Sequence, residues 1–415
     1  MTTEQTYQAA RDRYADLGVD TEKALAALGH VKLSLPCWQL DDVTGFEPKS
    51  HSLEGSGLAV TGSHPGRARN ADELRADLDK AFSLIPGRHR LNLHSIYGEF
   101  GRLVGRNKLS SQHFQGWIDW ARKRGLGLDF NATLFGHAYA ASGFTLSNYD
   151  EPVRKFWVEH VKACREISAG IGRSLGDACI HNLWIPDGQK DVATDRMARR
   201  ENLRHSLDEI YEKTYSPNEI KDSVESKLWG IGSEAFVVGS HDFYLGYALK
   251  HGLMVCLDTG HFHPTESVAD KLSAILPFSG KLLLHVSRGV RWDSDHVPIL
   301  DDNLRELALE IVRCDIDRFH LALDFFDASV NRVGALVLGA RAVLQALLLA
   351  LLEPATLPAE QAGDSLTRLA LLEQLKAMPW PAVWGEHCRR QSVPGGDSWL
   401  AEIHSYERAV QSKRG

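Results

Sequence analysis

The amino-acid sequence predicts an α/β fold, and specifically a (β/α)8 TIM barrel. Eight short apolar runs recur along the chain, with helical patterns between them. The runs cover residues 31–38, 90–97, 125–132, 178–186, 222–230, 253–262, 281–288 and 319–326. Strands that alternate with helices pair in parallel, and eight such strands close a barrel. An open doubly wound sheet is the alternative, but it usually carries a glycine-rich turn after its first strand, and "PCWQLDDVTG" is not one.

The segments between the runs have the spacing of amphipathic helices. In residues 70–85, apolar side chains repeat every three or four positions. Residues 301–314 begin with aspartates, which suit the N-cap and first turn of a helix. The longest apolar stretch, 334–352, contains Arg341 and Gln345, so we interpret it as a buried helix and not as a membrane span.

The chain carries more material than a barrel requires. A barrel of this type needs about 250 residues, and this chain has 415. One part of the excess is a long glycine-rich loop, 45–70, after the first strand. Loops of this length in compact folds are usually functional or disordered. The other part is helical in pattern. We therefore expect a catalytic barrel over residues 1–352 and a helical extension over 353–415, which packs on the barrel or on a neighbouring subunit.

Composition excludes several classes of partner. The net charge is −7, and 47 basic residues face 54 acidic ones without a long basic run. Neither nucleic-acid binding nor attachment to an anionic membrane is therefore expected. The six cysteines are scattered, which favours buried free thiols over disulfides or zinc sites. The first twenty residues are polar and lack the apolar core of a signal peptide, so we expect a cytoplasmic protein.

Polar residues interrupt or follow the ends of four consecutive apolar runs. They are Glu225 and Lys227 on strand five, Asp258 and His261 on strand six, His285, Asp293 and Asp295 on and after strand seven, and Asp324 on strand eight. Taken singly, a buried aspartate is more often a turn anchor, and a buried histidine is more often a core residue. Four strands with such residues at corresponding points indicate an active site, because barrel enzymes place theirs at the carboxyl ends of the strands.

The charge on these residues predicts a metal centre. An unpaired buried carboxylate costs several kcal/mol or becomes protonated, and the nearby lysines and arginines are too few to neutralise them all. Oxygen ligands with a few imidazoles suit Mn²⁺, Mg²⁺, Co²⁺ or Zn²⁺. Five carboxylates and two histidines exceed the ligands of one ion, so we predict two ions that share a bridging carboxylate.

An ordered set of motifs along the whole chain resembles the L-rhamnose isomerase family. The motifs include "CWQLDDVTGFE", "LNLHSIY", "NLWIPDG", "VESKLWGIGSE", "DTGHFHPTE", "LLHVSRGVRWDSDHV" and "LDFFDASVNR". The resemblance implies a (β/α)8 barrel, a homotetramer and two divalent cations per subunit. Mn²⁺ is expected first, with Zn²⁺, Co²⁺ or Mg²⁺ as alternatives. It also implies interconversion of the small sugar L-rhamnose with L-rhamnulose.

The same resemblance implies roles for individual residues. Glu225 would bridge both ions. Asp258, His285 and Asp324 would complete one site, and His261, Asp293 and Asp295 would complete the substrate-facing site. Lys227 would direct its ammonium at the same pocket, while His94 and Trp184 would contact the sugar, although core packing is an equal alternative for Trp184.

The chemistry of the ligands favours one mechanism. Carboxylates that bind divalent ions are poor bases, so we expect a metal-assisted hydride shift between C1 and C2, with Lys227 stabilising charge on an oxygen and Asp324 serving ring opening. Two other functions stay open: a metal-dependent hydrolase or phosphodiesterase on the same barrel, and a sugar-binding protein. The sequence does not rank L-rhamnose against L-lyxose or L-mannose.

Overall fold

Eight parallel strands close into a barrel in the computed structural model, which describes residues 2–48, 60–227, 234–290, 293–354 and 364–414. The strands are β1 (Leu33–Pro36), β2 (Arg90–His94), β3 (Gly127–Asn131), β4 (Cys179–Leu183), β5 (Ile220–Glu225), β6 (Met254–Asp258), β7 (Leu282–Val286) and β8 (Phe319–Leu323). Each strand pairs with its neighbours in sequence, and β1 pairs with β8 to complete the ring. The predicted barrel is confirmed.

Strand β5 departs from its predicted bounds. It begins at Ile220, two residues before the predicted run 222–230, and ends at Glu225. Lys221 concealed its start because it is charged. The carboxylate of Asp222 forms an ion pair with Arg165 of the surrounding helices, 2.8 Å away. Residues 228–230 of the predicted run lie outside the described residues.

Helices surround the barrel and continue beyond it. They are α1 (Thr3–Ala15), α2 (Thr21–His30), α3 (Ala71–Phe82), α4 (Gln115–Arg124), α5 (Glu151–Leu175), α6 (Arg196–Tyr211), α7 (His241–His251), α8 (Val268–Ile275), α9 (Asp302–Arg313), α10 (Arg332–Leu351), α11 (Ser365–Lys376), α12 (Trp380–Arg390) and α13 (Ser398–Ala409). Helices α3 to α10 each follow one strand. The predicted N-cap of α9 is confirmed, since Asp301 accepts a hydrogen bond from the Leu304 amide.

Helix α10 is part of the protein interior. It is the helix of the described chain that is long and apolar enough to span a bilayer, with a mean hydropathy of 2.0. However, 78% of its most apolar window is buried inside the protein, and it packs on α2, α3 and α9. Arg341 within it donates to the carbonyls of Leu84 and Pro394.

The loop after β1 begins with a short 3-10 turn, Cys37–Leu40. Of the predicted loop 45–70, residues 49–59 lie outside the described residues. The returning part lies against the segment after β8, where Ala328 donates to the carbonyl of Thr61. Gly62 has a φ of +111° there, and an added Cβ would lie 2.2 Å from the Ala328 backbone, so this contact requires glycine.

The C-terminal helices α12 and α13 pack against other helices of the same chain. Helix α12 lies against α1, and α13 contacts α10. Near the C-terminus, the Arg414 guanidinium forms an ion pair with Asp77 of α3 at 2.6 Å, where the two side chains are 4% and 0% exposed. Residues 355–363 of the predicted extension lie outside the described residues.

The interior of the barrel has three levels. Alternate strand residues point inward. At the amino end, Arg90 forms a buried ion pair with Asp129 at 2.8 Å. The middle level is a small apolar cluster, separate from the main core, that comprises Ile180, Met254, Cys256, Leu283 and Ala322. The carboxyl end carries the predicted ligands. Two short strands outside the barrel, Gly188–Gln189 and Phe236–Val237, pair antiparallel and join the loops that follow β4 and β5.

The Arg414–Asp77 pair should contribute strongly to stability. Arg414→Met would leave Asp77 buried without its cation, which should lower the free energy of unfolding by about 3–5 kcal/mol. Denaturant unfolding measures this change. Lys376→Met is the control, because it removes an exposed helical pair with Glu373 and should cost less than about 1 kcal/mol. Asp77→Asn combined with Arg414→Met should lose less than Arg414→Met alone. Equal effects of Arg414→Met and Lys376→Met would contradict the assignment.

Candidate metal centre

Four predicted ligands converge from consecutive strands. Glu225 and Asp258 are the last residues of β5 and β6, His285 lies one residue before the end of β7, and Asp324 directly follows β8. The strand register places Asp258 opposite His285. Each of the four side chains offers one ligand atom, and these atoms all lie within 4.8 Å of one another. This arrangement is compact enough to surround one cation.

The imidazole of His285 lies at the centre of this group. Its Nδ1 is 3.1 Å from Asp324 Oδ2, 3.3 Å from Glu225 Oε1 and 3.9 Å from Asp258 Oδ2. Within the described part of the chain, Glu225 Oε1 and Asp258 Oδ2 are buried without a hydrogen-bond partner. Buried carboxylate oxygens without partners are costly. The oxygen-rich donor set therefore fits a hard divalent cation.

Electrostatics support the same interpretation. Burial, assisted by the carboxylates of Asp324 and Glu225, raises the pKa of Asp258 to about 8 against the opposing effect of His261. Burial and the neighbouring carboxylate of Asp293 also raise the pKa of Asp295 well above its ordinary value. These carboxylates hold protons when no cation compensates them. A divalent ion would replace those protons.

The other predicted ligands lie beside the first group. His261 Nε2 is 3.1 Å from Asp293 Oδ2, and its Nδ1 is 3.3 Å from Glu225 Oε1. Asp295 lies in the same cavity, in the left-handed backbone region with a φ of 43°. Among the described residues, His261, Asp293 and Asp295 do not form a cluster as tight as the first four. Glu225 is the residue that both groups contact.

Three supporting residues were not predicted from the sequence. The Asn182 amide of β4 donates to Glu225 Oε2. The Trp38 indole donates to Asp324 Oδ1 at 3.1 Å, and the Ser287 hydroxyl donates to Asp258 Oδ1 at 3.3 Å. Each fixes a carboxylate so that its second oxygen faces the centre. The sequence did offer a signal for Asn182, because a polar residue within the apolar run "CIHNL" indicates a buried hydrogen bond.

The cluster lies at the base of an open cavity of about 560 Å³. Apolar and aromatic residues form its other side, namely Trp38, Val43, Ala132, Phe135, Trp184 and Phe326. His94 also lines it, and its ring contacts Trp38 and Phe135 edge to face. A larger cleft of about 750 Å³ lies between α8 and α9, but none of the seven predicted ligands lines it.

The structure places Lys227 behind this wall. Its ammonium donates to the carbonyl of Pro186 at 2.6 Å and to the carboxylate of Glu234. The nitrogen is 5.9 Å from the centroid of the Trp184 ring. Lys227 is not among the described residues that line the cavity. The sequence predicted that this ammonium points at the pocket, whereas the structure pairs it with Glu234 on the far side of Trp184.

The fold and the site together define a class of protein. A closed parallel barrel that gathers buried carboxylates and imidazoles at the carboxyl ends of its strands is a (β/α)8-barrel enzyme with a centre suited to a divalent metal ion. Among solved structures, the chain is similar to an L-ribulose 3-epimerase, with 14% identity and a TM-score of 0.48 over 71% of this chain and 96% of that chain.

Comparison with known sequences gives the family. The family model described as L-rhamnose isomerase (RhaA) matches residues 1–414. An L-rhamnose isomerase of Enterobacter sp. (strain 638) is 52% identical over 420 residues, which cover 100% of both chains. One from Rhodopirellula baltica is 52% identical over 414 residues, covering 99% of this chain and 97% of that protein. The chain belongs to the L-rhamnose isomerase family.

The raised pKa of Asp258 predicts how the metal-free protein responds to pH. The folded pKa of about 8 exceeds the unfolded value of about 4, so the native state holds a proton that the unfolded state has lost. The stability from this proton is complete below about pH 4 and is lost as the pH rises to about 8. In chelator, the free energy of unfolding should fall across this range.

Asp258→Asn should reduce that decline in the free energy of unfolding by roughly 1–3 kcal/mol. This is less than the free energy that corresponds to the whole pKa shift, because neighbouring carboxylates titrate together. Denaturant unfolding between about pH 5 and 8.5 covers most of the range between the two pKa values and measures the slope. Asp119→Asn is the matched control, because Asp119 is an exposed carboxylate paired with Arg122, and it should follow the wild type. Parallel slopes for Asp258→Asn and wild type would refute the role of Asp258.

Proposed function

We propose that the protein interconverts L-rhamnose and L-rhamnulose, an aldose–ketose isomerisation that begins L-rhamnose catabolism. The observation that carries this proposal is a single cavity with a charged ligand set on one side and an aromatic wall on the other. Membership of the L-rhamnose isomerase family supports the choice of sugar.

We further propose that each subunit binds two divalent cations and that Mn²⁺ is the preferred ion. Glu225, Asp258, His285 and Asp324 would hold one ion, and His261, Asp293 and Asp295 would hold the other with Glu225 shared. The contacts of His261 with both Glu225 and Asp293 support this division. When bound, the cations polarise the carbonyl and stabilise negative charge on the sugar oxygens during a hydride shift between C1 and C2.

His94 would bind the sugar as a neutral ring. Burial lowers the pKa of His94 to about 3, so the ring is uncharged at neutral pH. Its Nδ1 is engaged with the Thr133 hydroxyl at 3.1 Å, which leaves Nε2 for a hydroxyl of the substrate. The faces of Phe135 and Trp184 would contact the C–H surface and methyl group of the sugar and exclude water.

Asp324 and Lys227 would assist the reaction in different ways. Asp324 is fixed by Trp38 on one oxygen and faces His285 with the other. We assign it the positioning of a water molecule that would move the protons during opening of the sugar ring. Two of the three N–H donors of Lys227 are engaged. We therefore assign Lys227 an electrostatic role at a substrate oxygen, exerted from behind Trp184.

The alternative of a phosphodiesterase is less well supported. Phosphate recognition commonly uses arginine or lysine side chains. Of the cavity-lining residues in the described ranges, none is an arginine or lysine. A neutral polyol fits this lining better than a phosphate ester. A sugar-binding protein would retain affinity for the sugar without turnover, which the assay below separates.

The assembly and the compartment complete the proposal. We infer a homotetramer in the cytoplasm that binds neither nucleic acid nor membranes. The acidic net charge supports the absence of nucleic acid. Several large apolar side chains stand on the surface of the single chain, among them Phe278 (77% exposed) and Met197 (74%). Contact between subunits would cover side chains of this kind.

Catalysis should depend on bound metal. Purified protein supplied with Mn²⁺ should convert L-rhamnose faster than L-lyxose or L-mannose in a coupled ketose assay. It should lose its activity in EDTA and regain it with Mn²⁺, at about two ions per chain by elemental analysis. Asp119→Asn should behave as wild type. A fully active metal-free protein, or sugar binding without turnover, would overturn the proposal.

The hydride shift predicts that hydrogen does not exchange with solvent. As metal ligands the cavity carboxylates would be poor bases, so the hydrogen at C2 should move to C1 directly. The reaction run in D₂O should give a ketose without deuterium at C1 by NMR. Substantial deuterium there would instead indicate an enediol route.

A companion test concerns Asp324. The variant Asp324→Asn should be less impaired on a sugar locked in its open-chain form than on the ordinary, ring-closing sugar. Equal losses on these two substrates would assign Asp324 to metal binding alone.

A further inference from the structure

Cys256 lies directly beneath the metal centre. It precedes Asp258 by two residues on β6, so both side chains point into the barrel. The strand register places it opposite Glu225. Its side chain is fully buried and belongs to the small apolar cluster in the middle of the barrel.

The thiol takes part in a second group of possible ligands. Glu225, Cys256 and His285 each offer one ligand atom, and these atoms also lie within 4.8 Å of one another. His285 directs Nδ1 at the carboxylates. The side chains of His285 and Cys256 also lie within hydrogen-bonding reach of each other. The thiol and the imidazole are therefore close enough to bind the same ion.

The two ligand groups differ in chemical softness. Asp258 and Asp324 complete the first group with hard oxygen ligands, which suit Mn²⁺ and Mg²⁺. Cys256 completes the second group with sulfur, which favours Zn²⁺ and similar ions. Glu225 and His285 belong to both groups. An ion that draws these two side chains toward Cys256 withdraws them from Asp258 and Asp324.

We propose that Glu225, Cys256 and His285 form an alternative, thiolate-containing site for Zn²⁺ or a similar thiophilic divalent ion, and that its occupation excludes the ion of the oxygen-rich site. Binding breaks the S–H bond, forms a sulfur–metal bond and releases one proton to solvent, without electron transfer. The inference concerns metal selectivity and does not rest on the proposed isomerisation. Its failure would leave that proposal intact.

X-ray absorption on the full-length protein tests the site. Metal-free wild type loaded with one equivalent of Zn²⁺ should show a sulfur scatterer at about 2.3 Å in addition to nitrogen and oxygen at about 2.0–2.2 Å. Cys256→Ser should lose the sulfur contribution. Cys179→Ser should keep it, because Cys179 is equally buried on β4 but belongs to neither ligand group. A wild-type spectrum with only nitrogen and oxygen, or sulfur retained in Cys256→Ser, would overturn the proposal.

Competition gives a second readout that does not depend on activity. Release of bound Mn²⁺ by added Zn²⁺ is measured by electron paramagnetic resonance. Cys256→Ser should require about tenfold more Zn²⁺ for half release, whereas Cys179→Ser should match wild type. Unchanged Mn²⁺ uptake checks that Cys256→Ser is folded. If that variant fails to fold, the wild-type absorption spectrum alone decides whether sulfur binds the Zn²⁺. Equal Zn²⁺ requirements for Cys256→Ser and wild type would refute the exclusion of one ion by the other.

Discussion

Negative charge concentrated in a desolvated barrel mouth is the constraint on which the site depends. Glu225, Asp258 and Asp324 meet around one imidazole, and two of their oxygens have no hydrogen-bond partner among the described residues. A protein interior does not tolerate such oxygens unless protons or cations compensate them. The donors Asn182, Trp38 and Ser287 each hold one oxygen of a carboxylate. They orient the carboxylates but leave most of the charge to be neutralised by an ion.

The parallel barrel makes this concentration of charge possible. Adjacent parallel strands end at the same level, so single residues at the ends of β5 to β8 become neighbours without any long-range loop. The alternation of strand residues separates functions on each strand: inward positions carry Glu225 and Asp258, while outward positions pack against the helices. The large apolar cluster between strands and helices, together with hydrogen bonds such as that from Arg341 to the Leu84 carbonyl, stabilises the fold. The residues at the barrel mouth are therefore free to serve as ligands.

Much of this could be read from the sequence, for identifiable reasons. Repeated apolar runs predicted the eight strands, and carboxylates inside such runs predicted the cluster around Glu225, because both signals are local. The contacts of Asn182 and Trp38 could not be predicted, since they join side chains of neighbouring strands that are 43 and 286 residues apart in the sequence. The start of β5 was hidden because Lys221 is charged and its partner, His320, lies 99 residues later. The position of Lys227 depends on Glu234 and Pro186, whose approach no local pattern encodes.

The division of the cavity into a charged side and an apolar side places a further demand on a sugar substrate. A hydroxyl-rich face is stabilised next to carboxylates and cations, whereas a face made of C–H bonds and a methyl group is stabilised against Phe135, Trp184 and Phe326. An orientation that satisfies both sides would bring sugar oxygens to the ligand set. The neutral ring of His94 also lines the cavity, where Trp38 and Phe135 contact it. Orientation by two unlike walls thus allows a few polar contacts to position the reacting carbons.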